Sequence, residues 1–253
     1  MKKIILFSFF LWNCNRTSNE GSYNYVPPFE GTIFIDPDII TPEDPTTFIS
    51  IKYIGMDSRK MYDRRVDDWV ELRPYLFQAY YDDSLNIEVQ VNPEFGSKTE
   101  AEIQVKKYAA VVGHLTTELR KYVKTIWIHK GLKPFGGGNN NLLIHTDWAE
   151  KYYDNQGILE ETFIHEASHT SLDSIHARNP IWLKAQKDDN TFISKYAQDH
   201  PYREDISESF LPYFAIRYRP ERIEDSLKYL IEKTIPNRIK YFDNQNFNMY
   251  PLQ

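Results

Sequence analysis

Short runs of alternating hydrophobic and polar residues dominate the first hundred positions of the chain, and this pattern predicts β-strands. Two β-rich runs, residues 31–36 and 46–55, are separated by a turn rich in proline and acidic residues. Residues 74–96 predict a hairpin whose turn lies near residues 82–84. Residues 57–69 are dense in charges of both signs, which favours a solvated loop or helix face.

The clearest helical period follows at residues 97–123, where Ser97 or Thr99 is a candidate N-cap. Apolar residues recur there with a spacing close to 3.6, so one stripe of the helix is expected to face the core. The residues of that stripe are Ile103, Ala110, Val111, His114, Leu115 and Leu119.

Two further strands are predicted at residues 125–131 and 141–147, and a helix at residues 157–173 follows them. The segment that joins the strands contains three consecutive glycines, residues 136–138. No Gly-Lys-Ser/Thr follows these glycines, so they are not a phosphate-binding loop. We interpret the segment as a plain connector, or as the flexible entry to the second strand.

The last part of the chain predicts helices at residues 200–218 and 221–235. Pro212 should bend or end the first of them, because proline removes a backbone hydrogen bond. No internal repeat is present and no low-complexity linker follows residue 25. One α+β domain over residues 27–253 is therefore the simplest architecture.

The N-terminus has the layout of an export signal. Two lysines precede an apolar run at residues 4–12, which is too short to span a bilayer. We therefore predict a signal peptide at residues 1–13, followed by a flexible polar tether at residues 14–26.

The end of this signal, Leu-Trp-Asn-Cys at residues 11–14, resembles a bacterial lipobox. The resemblance implies that Cys14 receives lipid and becomes the new N-terminus, although Asn13 stands where a small residue is usual. The alternative is a buried first strand with a core cysteine. The expected location is the bacterial cell envelope, periplasmic or at the outer membrane, with contact to the membrane only through this anchor.

Composition narrows the classes of partner. The 253 residues carry a net charge of −6 and are 41% hydrophobic and 26% charged, which is ordinary for a folded protein. This charge balance provides no electrostatic footprint for nucleic acid, so none is expected as a partner. A single cysteine excludes a disulfide within the chain.

The helix at residues 157–173 carries the candidate chemistry, a His-Glu-x-x-His motif formed by His165, Glu166 and His169. Residues four apart lie on the same helix face, so both histidines can bind one Zn²⁺. Glu166 points about 100° away and can act as the base for a water that the metal activates. The pattern arises by chance in on the order of one unrelated chain in a hundred, so two unrelated histidines are the alternative.

A catalytic zinc site usually has three protein ligands, and the third must come from elsewhere. His176 lies seven residues after His169, and Leu172 stands where a turn-making glycine is expected, which disfavours a three-histidine site. Asp173 can coordinate the metal or support a ligand. Glu204 and Glu208 lie one helical turn apart, so one can bind zinc while the other accepts the free N–H of a histidine.

These motifs together resemble the gluzincin-type zinc metallopeptidases, in which a glutamate on a later helix is the third ligand. In several of them a Tyr-Ala segment precedes an acidic helix, and residues 194–210, SKYAQDHPYREDISESF, have this form. The resemblance implies that Glu204 binds zinc, that Glu208 supports a ligand and that Tyr196 donates to the developing oxyanion. It covers residues 125–215 and hardly extends to the first hundred.

The same resemblance implies a zincin-like α+β fold, with a mixed or antiparallel sheet, an active-site helix and a downstream ligand helix. Residues 141–147 would be the exposed edge strand to which a peptide substrate adds. We therefore expect a zinc-dependent hydrolase with one Zn²⁺ and a peptide or protein substrate. The alternatives are a non-catalytic envelope binding module on the same scaffold, or a zinc amidase that acts on a non-peptide amide.

Overall fold

The computed structural model describes residues 25–35 and 38–252, so the predicted signal peptide, Cys14 and most of the tether lie outside the described residues. The strands are β1 (Phe48–Met56), β2 (Arg59–Asp63), β3 (Asp68–Leu72), β4 (Tyr75–Tyr81), β5 (Asn86–Val91), β6 (Thr125–His129), β7 (Gly136–Gly138) and β8 (Asn141–His145). The helices are α1 (Lys98–Gly113), α2 (Thr117–Arg120), α3 (Thr146–Trp148), α4 (Leu159–Ser171), α5 (Asp173–His176), α6 (Pro180–Asp189), α7 (Lys195–Asp199), α8 (Asp205–Tyr218), α9 (Asp225–Thr234) and α10 (Pro236–Asp243). The predicted α+β class is confirmed.

Six strands form a mixed sheet in the order β1-β4-β5-β6-β8-β7, while β2 and β3 form a separate hairpin. The strands β5, β6 and β8 run parallel, and the outer pairs β1–β4, β4–β5 and β7–β8 are antiparallel. Every residue of β8, Asn-Leu-Leu-Ile-His, is buried. Its central Leu-Leu-Ile suits a strand that is covered on both faces, and β8 lies between β6 and β7 in the sheet.

Most of the strand predictions are confirmed. Two predictions for the first hundred residues are wrong, one of a loop or helix face and one of a strand. The charged segment at residues 57–69 is not a solvated loop or helix face but contributes to the β2–β3 hairpin. Its inward side chain Met61 packs with Trp127 and Leu143, so tertiary packing overrides the charge of its neighbours. The β-rich run predicted at residues 31–36 has no strand assignment over its described part, residues 31–35.

The helix predicted at residues 97–123 exists but is shorter. Ser97 is its N-cap, with Oγ accepting from the Glu100 N–H at 3.1 Å, and α1 ends at Gly113. The predicted inward stripe is wrong within α1, where Ile103 is 53% exposed and Ala110 and Val111 are half-buried, whereas His114, Leu115 and Leu119, beyond the end of α1, are buried as predicted. The buried residues of α1 are Ala101, Val105, Tyr108, Ala109, Val112 and Gly113. This helix has weak amphipathicity, so its contact with the sheet determines the buried face.

Pro212 does not end its helix, because α8 continues to Tyr218 with the residues around the proline fully buried. Packing on all sides offsets the lost hydrogen bond. The motif helix α4 is enclosed as well, and it packs against β7, β8, α2 and α8. Its residues Phe163, Ile164 and Ala167 belong to a hydrophobic cluster that extends from Ile33 to Met249. The fold therefore holds α4 rigidly between the sheet and the helix α8.

Candidate metal centre

Helix α4 carries both histidines of the motif on one face. The Nε2 atoms of His165 and His169 lie 3.1 Å apart, and the two rings are nearly perpendicular. Glu160 and Glu161 lie in the first turn of α4, where negative charge favours the helix. The spacing of four residues thus brings two potential metal ligands to one point.

Glu204, at the N-cap of α8, supplies a third ligand atom. Its Oε2 lies 3.2 Å from His169 Nε2 and 3.7 Å from His165 Nε2. His165, His169 and Glu204 therefore form a possible metal-binding triad. Tetrahedral coordination at the usual zinc distances places ligand atoms about 3.3 Å from one another. The three separations fit a Zn²⁺ ion, and the two-nitrogen, one-oxygen set is one that zinc accepts.

A carboxylate faces the other ring nitrogen of each histidine. Asp173 Oδ2 lies 2.7 Å from His169 Nδ1, and Glu208 Oε1 lies 3.7 Å from His165 Nδ1. A carboxylate at Nδ1 favours the tautomer that keeps the proton there and leaves Nε2 free to bind a metal. Glu204 is thus the carboxylate of the possible metal-binding triad, while Glu208 and Asp173 face the far side of the histidines.

Charges in the triad shift the pKa values of its members in opposite directions. Burial would lower the pKa of both histidines, but neighbouring carboxylates raise it. The Glu204 carboxylate acts on His165, and the Asp173 and Glu204 carboxylates act on His169. Burial would likewise raise the pKa of Glu204, yet His165 and His169 hold it well below its usual range. The site therefore stabilises positive charge between these three side chains, which a divalent cation would supply.

Tyr196, in α7, lies at the oxygen of Glu204 that faces away from the histidines. Its hydroxyl donates to Glu204 Oε1 at 3.0 Å, and Arg203 donates to the same hydroxyl at 2.8 Å. Arg203 also donates from Nε to Glu204 Oε1 at 2.7 Å. Burial, followed by the Glu204 charge, raises the pKa of the Tyr196 phenol. The phenol stays protonated at neutral pH and can act as a hydrogen-bond donor beside the triad.

The triad and Glu166 both line a cleft of about 1860 Å³. Other residues that line the cleft include Tyr196 and Arg203, which contact Glu204, and Gly137 and Gly138 of β7. Glu166 is half-buried. The cleft brings together a base candidate, a metal-binding triad and a protonated phenol.

Strand β7 forms the edge of the sheet beside this cleft, so two of the sequence predictions need correction. Residues 141–147 do not provide the edge strand, because β8 lies between β6 and β7. The three glycines are not a plain connector, since they form β7. A strand built only of glycine has no side-chain alternation, so its sequence carries no strand signal.

Glycine is required in β7 because the strand lies directly on the motif helix. A Cβ atom at Gly137 would lie 1.8 Å from the carbonyl oxygen of Glu166. The Thr170 hydroxyl, on the same helix, accepts from the Gly138 N–H and donates to the Asn141 carbonyl, both at 2.8 Å. The edge strand and the motif helix are thus held in one fixed arrangement.

We expect Gly137→Ala to reduce the free energy of unfolding by about 1–3 kcal/mol, since the added methyl group overlaps helix backbone, which cannot move aside as a flexible side chain would. Urea denaturation measures this change. Gly31→Ala is the matched control, because a Cβ at Gly31 meets nothing within 4 Å. Equal stability of the two variants would contradict the close packing of β7 on α4.

Several residues of the site carry no signal in the sequence. The Thr32 hydroxyl donates a hydrogen bond to Glu208, although 176 positions separate the two residues in the chain. No local sequence pattern links them. Arg203 precedes Glu204 in the chain, but a basic residue beside acidic ones is common on any surface. Gly137 and Thr170 matter through contacts between elements, which spacing along the chain does not reveal.

The chain has no significant match among protein-family models, curated proteins or solved structures. Along residues 25–35 and 38–252, no helix combines the length and the apolar character needed to cross a bilayer. The geometry of the site is therefore the basis for a proposed function.

Proposed function

We propose that this protein is a zinc-dependent hydrolase, most consistent with a metallopeptidase of gluzincin type on a zincin-like fold. The observation that supports it is the convergence of His165, His169 and Glu204 from two separate segments. Glu166 follows the first histidine directly and lines the same cleft. This combination of three ligands and an adjacent carboxylate suits hydrolysis of an amide bond.

His165, His169 and Glu204 would hold the ion. A bound Zn²⁺ supplies a water of lowered pKa and polarises the substrate carbonyl. Glu166 accepts a proton from the attacking water and later delivers it to the leaving amine. Tyr196 has one O–H, which donates to Glu204 Oε1 in this structure, and it would redirect that hydrogen to the oxyanion that develops on the substrate. Asp173 and Glu208 keep the imidazole rings oriented for binding.

The edge strand supports a peptide or protein as the substrate. Gly137 in β7 is exposed, lies against the carbonyl of Glu166 and lines the cleft. An extended peptide can add to such an edge through main-chain hydrogen bonds, which hold it alongside the catalytic groups. The N-terminal sequence extends the proposal to an exported protein that is lipid-anchored at Cys14 in a bacterial envelope.

Metal removal tests the proposal. The purified protein should contain one zinc per chain, cleave members of a mixed peptide library, lose cleavage on treatment with a strong chelator and regain it with added zinc. His169→Ala should lose both zinc and cleavage, because it removes a ligand. His114→Ala, which changes a histidine whose Nδ1 contacts Pro45 instead of the triad, should keep both.

Mass spectrometry of the library identifies the bonds cleaved, and metal analysis measures the zinc content. Stoichiometric zinc without peptide cleavage would replace the peptidase proposal with an amidase for another substrate or with a binding module. Cleavage that survives complete metal removal would overturn the mechanism itself.

A further inference from the structure

We infer that residues 28–35, the N-terminal strap, are an integral part of the metal centre, and that Thr32 is a positioning residue for the ligand His165. The strap lies far from the triad in sequence but lines the same cleft through residues 28–34. Its contacts reach each of the three segments that contribute to the site.

The first contact joins the strap to the segment that carries Tyr196. Phe29 pairs with Ser194 in a parallel bridge, and the Phe29 carbonyl accepts from the Lys195 N–H at 2.7 Å. The next carbonyl, that of Glu30, accepts from the Tyr196 N–H at 3.0 Å. These backbone hydrogen bonds hold the start of α7 against the strap.

The second and third contacts reach the helix α4 and the helix α8. The Ile35 N–H donates to Glu161 Oε2, on α4, at 3.0 Å. Thr32 Oγ1 donates to Glu208 Oε1, on α8, at 2.5 Å. Glu161 and Glu208 are each 1% exposed, so water cannot readily replace either bond. The strap thus connects the helix of the two histidines to the helix that follows Glu204.

Thr32 acts on His165 through the Glu208 carboxylate. The oxygen that accepts from Thr32, Oε1, is also the one that lies 3.7 Å from His165 Nδ1. Ser194 Oγ donates to the other oxygen at 2.7 Å. Two hydroxyl groups therefore fix the rotation of this buried carboxylate. The carboxylate faces Nδ1 of His165 at 3.7 Å, beyond hydrogen-bond range, so it acts on the imidazole ring through its charge.

Thr32 is the more informative of the two hydroxyls to change. Ser194 Oγ also accepts from the Ala197 N–H as the N-cap of α7, so its removal would disturb a helix as well. Thr32 has one side-chain partner, the Glu208 carboxylate, among the contacts described for it. Valine has nearly the same shape without the hydroxyl, and serine keeps the hydroxyl without the methyl group.

We expect Thr32→Val to weaken zinc binding by about tenfold, because Thr32 holds the carboxylate that faces His165, and loss of an outer partner of a metal ligand typically costs about 10–100-fold in affinity. Thr32→Ser should bind zinc as the wild type does. Competition with a chromophoric chelator of known zinc affinity measures the dissociation constant without reference to activity. Thr32→Val should also lower the melting temperature of the metal-free protein, because the buried Glu208 carboxylate loses a donor. Zinc affinity is therefore measured well below the melting transition, where both proteins are folded, which separates positioning from general stability.

Thr41→Val is the matched control, since the Thr41 hydroxyl also donates to a carboxylate, that of Asp44, at 3.3 Å. It belongs to the same N-terminal part of the chain but not to the cleft, so zinc affinity should not change. If Thr32→Val fails to fold, Thr32→Ala provides the same comparison without a branched side chain.

The inference rests on the metal centre of the proposed function, and the outcomes separate the two. Wild-type protein that binds no zinc would overturn both. Wild-type protein that binds zinc, with Thr32→Val binding it equally tightly, would overturn the inference alone. It would also be overturned if Thr32→Ser bound zinc as weakly as Thr32→Val.

Discussion

Glu166→Gln is expected to retain one zinc per chain and to reduce the turnover number by about 10²–10⁴-fold, the usual contribution of a general acid–base group. Glutamine has the size of glutamate but cannot accept the proton of the attacking water. The triad does not include Glu166, so zinc should stay bound. The contact with Gly137 involves the backbone of Glu166, so the fold should also be unaffected.

Steady-state kinetics on a peptide that the wild type cleaves, together with metal analysis, measures this result. Glu160→Gln is the matched control, because Glu160 lies on the same helix but does not line the cleft. Full activity of Glu166→Gln would falsify the proposed role of the base. Loss of zinc in that variant would instead assign Glu166 to the metal ligands.

Arg238→Met is expected to reduce the free energy of unfolding by about 3–5 kcal/mol, the typical effect of breaking a buried ion pair by removing one partner. Arg238 donates to Asp189 and to Asp205, each at 2.9 Å. All three side chains are fully buried, so methionine would leave two carboxylates without their cation. The substitution should disturb the candidate metal site as well, since Asp205 directly follows the proposed ligand Glu204.

Urea denaturation of the metal-free protein measures this loss. The matched control is Arg217→Met, because Arg217 pairs with Asp243 at 2.9 Å while both side chains are about one-third exposed. An exposed pair of this kind contributes about 0–1 kcal/mol. Similar losses in the two variants would show that burial does not determine the strength of the Arg238 pairs. Adding Asp189→Asn and Asp205→Asn to Arg238→Met should recover part of the stability.

Features that depend on neighbours along the chain could be predicted from the sequence. The spacing of His165 and His169 places both on one helix face, because the helical repeat is a local property of the backbone. The hairpin at residues 74–96 and the N-cap at Ser97 are local in the same sense. The sequence also limited the third ligand to a short list that included Glu204 and Glu208.

The choice between these two glutamates was decided by tertiary structure. They lie one turn apart, so either can face α4, and the position of α8 relative to α4 determines which carboxylate reaches the Nε2 atoms. The long-range bond from Thr32 then holds the other carboxylate, that of Glu208, near Nδ1 of His165. Such contacts depend on how distant segments pack, which no local pattern records.

Strand β7 also shows the difference between what local sequence predicts and what tertiary packing decides. Its three glycines carry no alternation of hydrophobic and polar side chains, so the period that signals a strand is absent. They form a strand because β8 provides hydrogen-bond partners and because only glycine lets the backbone approach the carbonyl of Glu166. The sequence by itself determined the chemistry that α4 can present. Tertiary packing alone decided which carboxylate and which strand lie beside it, because those contacts join segments far apart in the chain.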